Sequence, residues 1–234
     1  SFESRSGSRR GDREEARWHR LTRAKANRGR RAPFAASHFD REYYRRHYRD
    51  GRTSVTSRAE MTARAEYIAA YTRHVGLPVG TVLDAGCGLG LLRDPLMRAL
   101  PRASYVGLEF SDYLCRRYGW TQGSLTDFRA RPFDLVICYD VLQYLDDRSA
   151  SAALANLAKL CRGVLYFSAL TLRDWAENAD RRRTDRNVWM RSATWYRRRL
   201  ARHFRQVGGG FWIRRDAPLL PWERSEEHTS ELQS

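Results

Sequence analysis

This sequence of 234 residues has little lysine, only four cysteines and no long apolar run. No apolar stretch approaches the ~20 residues that a membrane helix needs, and the first thirty residues lack the apolar core of a signal peptide. The cysteines are dispersed without a C-x-x-C pair, which indicates neither a disulfide framework nor a zinc site. We therefore expect a cytoplasmic protein with reduced thiols, no metal site and no membrane partner.

Lysine is nearly absent from a strongly basic chain. Only Lys25 and Lys159 are lysines among 43 basic residues, and the formal net charge is +16. Such a charge ordinarily suggests a nucleic-acid partner. A skew toward arginine is typical of a GC-rich genome, and runs of charge are usually solvated faces, so nucleic-acid binding is possible but not favoured.

Both ends of the sequence lack the features of natural termini. The chain begins at Ser1 without a methionine, so we expect a fragment or a processed product. Residues 224–234, RSEEHTSELQS, resemble the in-frame translation of a common sequencing adapter, and we expect a non-native tail there; an ordinary polar tail is the alternative. Residues 1–35 are rich in Arg, Ser and Gly, which predicts a disordered basic arm.

The most informative stretch is VLDAGCGLG at residues 82–90, where an apolar strand runs into an acid and three alternating glycines. Glycines at such a turn let the backbone bend tightly and approach a ligand closely. A dinucleotide-binding loop would have its third glycine at position 91, where this chain has Leu91, so the spacing argues against NAD. Packing of the strand against the next helix is the alternative role.

The pattern D-x-G-x-G-x-G at residues 84–90 resembles motif I of the class I S-adenosylmethionine-dependent methyltransferases. The resemblance implies S-adenosylmethionine as the cofactor, with the loop around its methionine part. It also implies a doubly wound, mostly parallel α/β sheet of the seven-stranded, Rossmann-like type. The cofactor contacts that it implies are Asp84, Gly86, Cys87, Gly88, Gly90, Glu109, Phe110, Ser124, Leu125 and Tyr139.

Glu109 closes a predicted strand over residues 104–109, about twenty residues after the glycine loop. An acid at this position in nucleotide-binding α/β folds bonds both ribose hydroxyls, and a surface carboxylate is the alternative. By the resemblance, Ser124 and Leu125 occupy the place that contacts the adenine ring. The acid that the family often carries there is absent from this sequence.

Residues 133–144, FDLVICYDVLQY, resemble motif IV of the family. Their apolar centre suits a parallel strand that is buried on both faces, and ligands bind at the carboxyl edge of such a sheet. The resemblance implies that Tyr139 lines the methionine end of the cofactor. It also implies that Asp140 and Tyr144 lie nearest the substrate, as the candidate catalytic residues. Capping of the following turn is the alternative for Asp140.

The remaining patterns predict the organisation of the chain. We assign residues 36–76 to an N-terminal helical lid and 77–223 to the methyltransferase domain, with an insert at about 171–191 and a last strand truncated within 218–223. Tyr43, Tyr44 and Tyr48 in the lid either pack against the domain or touch cofactor or substrate. The predicted helices are 57–75, 89–100, 111–118, 149–161 and 192–203, and the further strands are 81–85, 119–125, 164–169 and 210–214.

Motif IV also narrows the methyl acceptor. The two prolines of DNA amino-methyltransferases and the Pro-Cys of cytosine-C5 enzymes are both absent from CYDVLQY. We therefore predict an S-adenosylmethionine-dependent methyltransferase that acts on a small-molecule, lipid or secondary-metabolite acceptor. The alternatives are an RNA or protein methyltransferase that uses the Arg-rich residues 181–205, and a non-catalytic cofactor-binding module. The sequence gives no indication of the oligomeric state.

Overall fold

A computed structural model describes residues 34–49, 56–180 and 183–217. The predicted basic arm up to residue 33 and the predicted tail at 224–234 lie outside these ranges. The described residues form a seven-stranded sheet with the strand order β3-β2-β1-β4-β5-β7-β6. Its strands are β1 Thr81–Ala85, β2 Ser104–Glu109, β3 Thr121–Gln122, β4 Phe133–Tyr139, β5 Cys161–Ser168, β6 Phe204–Gly208 and β7 Phe211–Arg214.

Helices alternate with the strands, which confirms the predicted doubly wound architecture. Short helical turns also occur at Ala36–His38, Arg45–Arg49 and Leu142–Tyr144. Within the described ranges, no helix combines the length and the apolarity needed to cross a bilayer. The helices are α1 Arg41–Tyr44, α2 Arg58–His74, α3 Arg93–Ala99, α4 Asp112–Tyr118, α5 Asp147–Leu160, α6 Leu172–Glu177 and α7 Ala193–Leu200.

The sheet reverses its order at β1, which pairs in parallel with β2 on one side and with β4 on the other. In open α/β sheets, ligands bind beyond the carboxyl ends of the strands at such a reversal. The glycine loop leaves β1 at this point, and the loop that begins with Asp140 leaves β4 beside it. The fold therefore brings the two predicted motifs to one edge of the sheet.

The central strand β4 divides the apolar core into two layers. Leu135 and Ile137 pack with α2 and α3 on one face, whereas Val136 and Cys138 pack with α5 on the other. All four side chains are fully buried. This alternation follows from the two-residue period of a strand, and it fixes the register in which β4 ends.

The N-terminus of α2 has the predicted capping box. The Ser57 hydroxyl accepts a hydrogen bond from the Glu60 N–H at 3.1 Å, and the Glu60 carboxylate accepts one from the Ser57 N–H at 2.6 Å. The helix ends at His74, and Gly76 follows with a φ of 69°. Its buried face packs on the sheet, so this part of the predicted lid belongs to the helical layer of the core.

The expectation of a last strand truncated within residues 218–223 is wrong. The seventh strand of the sheet is β7, which pairs antiparallel with β5 and lies before those residues. Its partner β6 was not predicted, and the two strands pair across a turn in which Gly208, Gly209 and Gly210 all have positive φ. Residues 218–223 lie outside the described part of the chain.

Candidate functional site

The glycine loop is fixed against the neighbouring strand. The N–H groups of Gly86 and Cys87 donate to the carbonyl oxygen of Leu108 in β2, at 2.7 and 3.2 Å. Gly86, Gly88 and Gly90 have φ values of 80°, 55° and 70°, a region that side chains disfavour. Because this backbone is not helical, the next helix begins at Arg93 and not near Leu89 as predicted.

The three glycines meet different surroundings. A Cβ on Gly86 would lie 2.3 Å from Val141, and a Cβ on Gly90 would lie 2.4 Å from the ring of Trp120. A Cβ on Gly88 would have no atom within 4 Å, because the backbone there faces an open cavity. Gly86 and Gly88 therefore border the site, whereas Gly90 lies against Trp120 and lines neither of the two cavities at this edge of the sheet.

Glu109 ends β2 with its carboxylate turned toward the glycine loop. One oxygen accepts from the N–H of Gly88 at 2.8 Å, and the other accepts from the N–H groups of Phe110 and Ser111 at 2.8 and 2.9 Å. Burial raises the pKa of Glu109, and these three donors oppose that effect. The carboxylate thus ties the glycine loop to the end of β2. The same carboxylate, which we predicted to bind the ribose, lines a cavity beside the loop.

Asp84 is buried beneath the glycine loop and is 3% exposed. The Tyr105 hydroxyl donates to its carboxylate at 2.6 Å. Burial, together with the nearby charge of Glu109, raises the pKa of Asp84 to about 7, although the hydrogen bond from Tyr105 opposes this rise. Near neutral pH this carboxyl therefore exists in both protonation states.

The exit from β4 places Asp140 in an unusual backbone conformation. Asp140 has a φ of 56°, and its N–H donates to the carbonyl oxygen of Ser168 at 3.0 Å. Burial raises the pKa of its carboxyl, and hydrogen bonds from the Tyr139 and Ser168 side chains and the charge of Arg64 oppose this. The turn Leu142–Tyr144 has no side-chain cap, so the structure does not support the capping alternative for Asp140.

Two adjoining cavities lie at this edge of the sheet. The Glu109 cavity, of about 230 Å³, is lined by Glu109, Phe110, Ser124 and Leu125 among others. The Asp174 cavity, of about 410 Å³, is lined by Asp84, Cys87 and Asp174 among others. Both cavities share the lining residues Tyr48, Gly86, Gly88, Tyr139, Asp140 and Tyr144. All the predicted site residues except Gly90 therefore border one continuous cleft.

The N-terminal aromatic residues close one side of this cleft. Tyr43, Tyr44 and Tyr48 line the Glu109 cavity, and Tyr48 also lines the Asp174 cavity. The ring of Phe39 meets the ring of Tyr144 edge to face at 5.4 Å between centroids. The three tyrosines thus pack on the domain, as one interpretation predicted, and they also line the cleft. Their contact with cofactor or substrate stays a prediction.

Sequence reasoning missed Gln143, Asp174 and Asp185, which line the Asp174 cavity. Asp174 had a local signal, because it forms a capping box with Thr171 at the start of α6. Gln143 had none; the distant insert contacts its backbone, where the Gln143 carbonyl oxygen accepts from the Trp189 N–H at 2.7 Å.

Comparisons with known proteins agree with the geometry. A family model described as a methyltransferase domain matches residues 83–163, from within β1 to β5. The chain is 32% identical over 122 residues to a ubiquinone biosynthesis O-methyltransferase of Methylococcus capsulatus, covering 46% of this chain and 49% of that protein. The chain therefore spans about half the length of this relative.

The solved structure of a magnesium protoporphyrin IX methyltransferase from Synechocystis with bound S-adenosylmethionine covers 79% of this chain and 99% of its own, with a TM-score of 0.52 at 21% identity. An O-methyltransferase family protein from Burkholderia thailandensis has the same TM-score at 14% identity, covering 88% of this chain and 71% of its own. These likenesses establish the fold.

Sequence identity to a further relative supports the structural likeness. The chain is 30% identical over 158 residues to a magnesium-protoporphyrin O-methyltransferase of Synechocystis, covering 59% of this chain and 67% of that protein. The matched family model begins within β1 and includes both motifs that border the cleft. On these grounds the chain belongs to the class I S-adenosylmethionine-dependent methyltransferases.

Proposed function

We propose that this chain transfers a methyl group from S-adenosylmethionine to a small-molecule acceptor. The observation that carries the proposal is the shared lining of the two cavities. Gly86 and Gly88 of the predicted cofactor loop border the same space as Asp140 and Tyr144, the candidate catalytic residues. A cofactor on the Glu109 side and an acceptor on the Asp174 side would meet at these residues.

The residues of the cleft fit this cofactor. The open backbone at Gly88 leaves room for a ligand against the loop, and the buried Glu109 carboxylate lines the cavity where the ribose contact is expected. Asp84, with a pKa of about 7, supplies a negative charge near the loop above that pH. When bound, the cofactor supplies an electrophilic methyl group on a positively charged sulfur.

Asp140 and Tyr144 have different roles in the proposal. Because burial raises its pKa above the ordinary value, the Asp140 carboxylate is a stronger base than an exposed aspartate and is suited to accept a proton from the acceptor. Burial raises the pKa of Tyr144 well above its ordinary value, so its hydroxyl stays protonated and serves as a hydrogen-bonding group that orients the acceptor. The remaining rate enhancement comes from holding the reacting groups in line.

We also propose that the enzyme works in the cytoplasm. All four cysteines are free and buried, as expected for a protein from a reducing compartment. The proposed acceptor class includes lipids and secondary metabolites.

The proposed activity is tested by incubating the full chain with S-adenosylmethionine and a panel of small acceptors, with S-adenosylhomocysteine release as the measurement. Asp140→Asn should lower the rate by about 10²-fold or more, because it removes the proton acceptor while asparagine tolerates the same backbone conformation. The control Asp127→Asn, at an exposed position outside both cavities, should keep the wild-type rate. The proposal would be contradicted if no acceptor in the panel gave S-adenosylhomocysteine release, or if the two variants had equal rates.

A further inference from the structure

The Asp174 cavity is acidic within a basic chain. Its lining includes five carboxylates, from Asp84, Asp140, Asp174, Asp180 and Asp185. Among the lining residues that the structure describes, Arg183 is the one basic side chain. The formal charge of the whole chain is +16, whereas the described lining of this cavity holds more acidic than basic side chains.

Several of these carboxylates have internal partners, which explains how they are held. Asp174 accepts from the Thr171 hydroxyl at 2.6 Å, and Asp185 accepts from the Tyr43 hydroxyl at 3.3 Å. The Arg183 guanidinium reaches Asp180 at 4.0 Å, the outer limit of an ion pair. These partners fix the carboxylate side chains around the cavity.

Two nearby charges have opposite effects on the ionisation of Asp140. Arg64 favours the ionised form, and its guanidinium lies 4.0 Å above the Tyr139 ring while donating to the Tyr166 hydroxyl at 2.9 Å. Asp174 disfavours the ionised form, because its charge repels that of Asp140. A cation placed between Asp140 and Asp174 would relieve this repulsion.

Gln143 gives an independent sign of a ligand. Its side chain is 5% exposed and lines the Asp174 cavity, and its amide oxygen has no hydrogen-bond partner. A buried acceptor of this kind needs a donor, since an unpaired polar group away from water is unfavourable. The amide oxygen and the carboxylates all accept hydrogen bonds, so the ligand that completes the cavity carries N–H or O–H groups.

We infer that the acceptor of the proposed reaction is a cationic small-molecule amine, bound in the Asp174 cavity by the carboxylates of Asp140 and Asp174 and by the amide oxygen of Gln143. This inference rests on the proposed function. The ammonium group gives one proton to Asp140, and the freed nitrogen lone pair forms the new bond to the methyl carbon. The carbon–sulfur bond breaks as the sulfur keeps its electron pair, and the positive charge of the sulfonium passes to the nitrogen.

Calorimetry on the full chain saturated with S-adenosylhomocysteine tests this inference with matched probes. Glucosamine is compared with glucose, and putrescine with 1,4-butanediol, so that each pair differs in amino against hydroxyl groups. At least one amine should bind about tenfold more tightly than its hydroxyl partner, the difference expected for a charge-assisted hydrogen bond. If neither amine binds more tightly than its partner, the inference is wrong.

Variants separate the cavity from general electrostatics. Asp140→Asn and Gln143→Leu should each weaken amine binding about tenfold or more, whereas Asp127→Asn removes one negative charge elsewhere and should change it less than about twofold. Equal weakening by all three variants would overturn the inference. Failure of S-adenosylhomocysteine itself to bind would instead refute the proposed function, so the two failures are distinguishable.

Discussion

The hydroxyl groups of Tyr43 and Tyr144 share a hydrogen bond at 2.9 Å, across 101 positions of the sequence. Tyr43 belongs to the short helix α1, and Tyr144 ends the turn that follows β4. Tyr43 also reaches the Asp185 carboxylate at 3.3 Å. One side chain thus joins the N-terminal aromatic segment to the exit of β4 and to the insert.

The first prediction concerns this junction. Tyr43→Phe should lower the free energy of unfolding by about 1 kcal/mol and weaken S-adenosylhomocysteine binding up to about fivefold, because one aromatic wall of the Glu109 cavity loses its anchor. Thermal unfolding and calorimetry measure the two effects. Tyr67→Phe is the control: it loses a hydrogen bond to the Gly209 carbonyl at 3.2 Å, away from the cleft. Equal effects of both variants on binding would contradict the account.

The second prediction concerns pH and Asp84. Its pKa is about 7 in the folded chain, and a carboxyl of an unfolded chain titrates near 4. Between these values the folded chain holds a proton that the unfolded chain has lost. The free energy of unfolding therefore falls as pH rises through this window, and Asp84 contributes at most about 1.4 kcal/mol per pH unit to the fall. Above pH 7 the contribution of Asp84 levels off.

Asp84→Asn removes this titration while keeping an acceptor for the Tyr105 hydroxyl. The melting temperature of the variant relative to wild type should therefore be higher at pH 8 than at pH 5. Thermal unfolding of both proteins at the two pH values makes the measurement. A difference that is the same at both would show that the Asp84 carboxyl titrates normally.

The third prediction concerns Gly90. An alanine there would combine a positive φ with a Cβ 2.4 Å from the Trp120 ring, so Gly90→Ala should destabilise the fold by about 2–4 kcal/mol. Gly119→Ala has a comparable φ of 71° but open space, and should lose only about 1 kcal/mol. Denaturant unfolding compares the two variants. Equal losses would mean that Trp120 moves aside freely.

The fourth prediction concerns Arg191, a buried residue that holds the turn after β4. Its guanidinium donates to the carbonyl oxygens of Leu142, at 2.9 Å, and of Leu145, and pairs with Asp147 at 2.9 Å. Arg191→Lys should destabilise the chain by about 2–3 kcal/mol, because a lysine cannot serve both carbonyls and the carboxylate. Asp147→Asn should have the smaller effect in the same unfolding measurement, since both carbonyl contacts remain. The reverse order would refute this role.

Local signals in the sequence predicted most of the fold. The capping box of Ser57 and Glu60 marked the start of α2, and the apolar run ending at Glu109 marked β2 with its observed bounds. The spacing of the glycine loop distinguished the cofactor class, because it reflects backbone conformations that few residues other than glycine adopt. These features depend on neighbours in the chain.

Features that depend on distant contacts escaped prediction. β6 has little alternation that would mark a strand, and it forms because the glycine turn folds it back onto β7. The role of Gly90 depends on the ring of Trp120, which lies thirty positions further along the chain, and no spacing rule predicts this contact. The acidic lining of the Asp174 cavity arises only when the insert folds over the exit of β4.

Binding of S-adenosylmethionine to the glycine loop is the central claim, and its most direct test is calorimetry on the full chain and two glycine variants. Gly88→Ala adds a methyl group that faces the cleft, whereas Gly119→Ala adds one in open space at the end of α4. We expect saturable one-to-one binding to the wild type, retained by Gly119→Ala and weakened about tenfold or more by Gly88→Ala. No binding to the wild type, or equal binding by both variants, would contradict it.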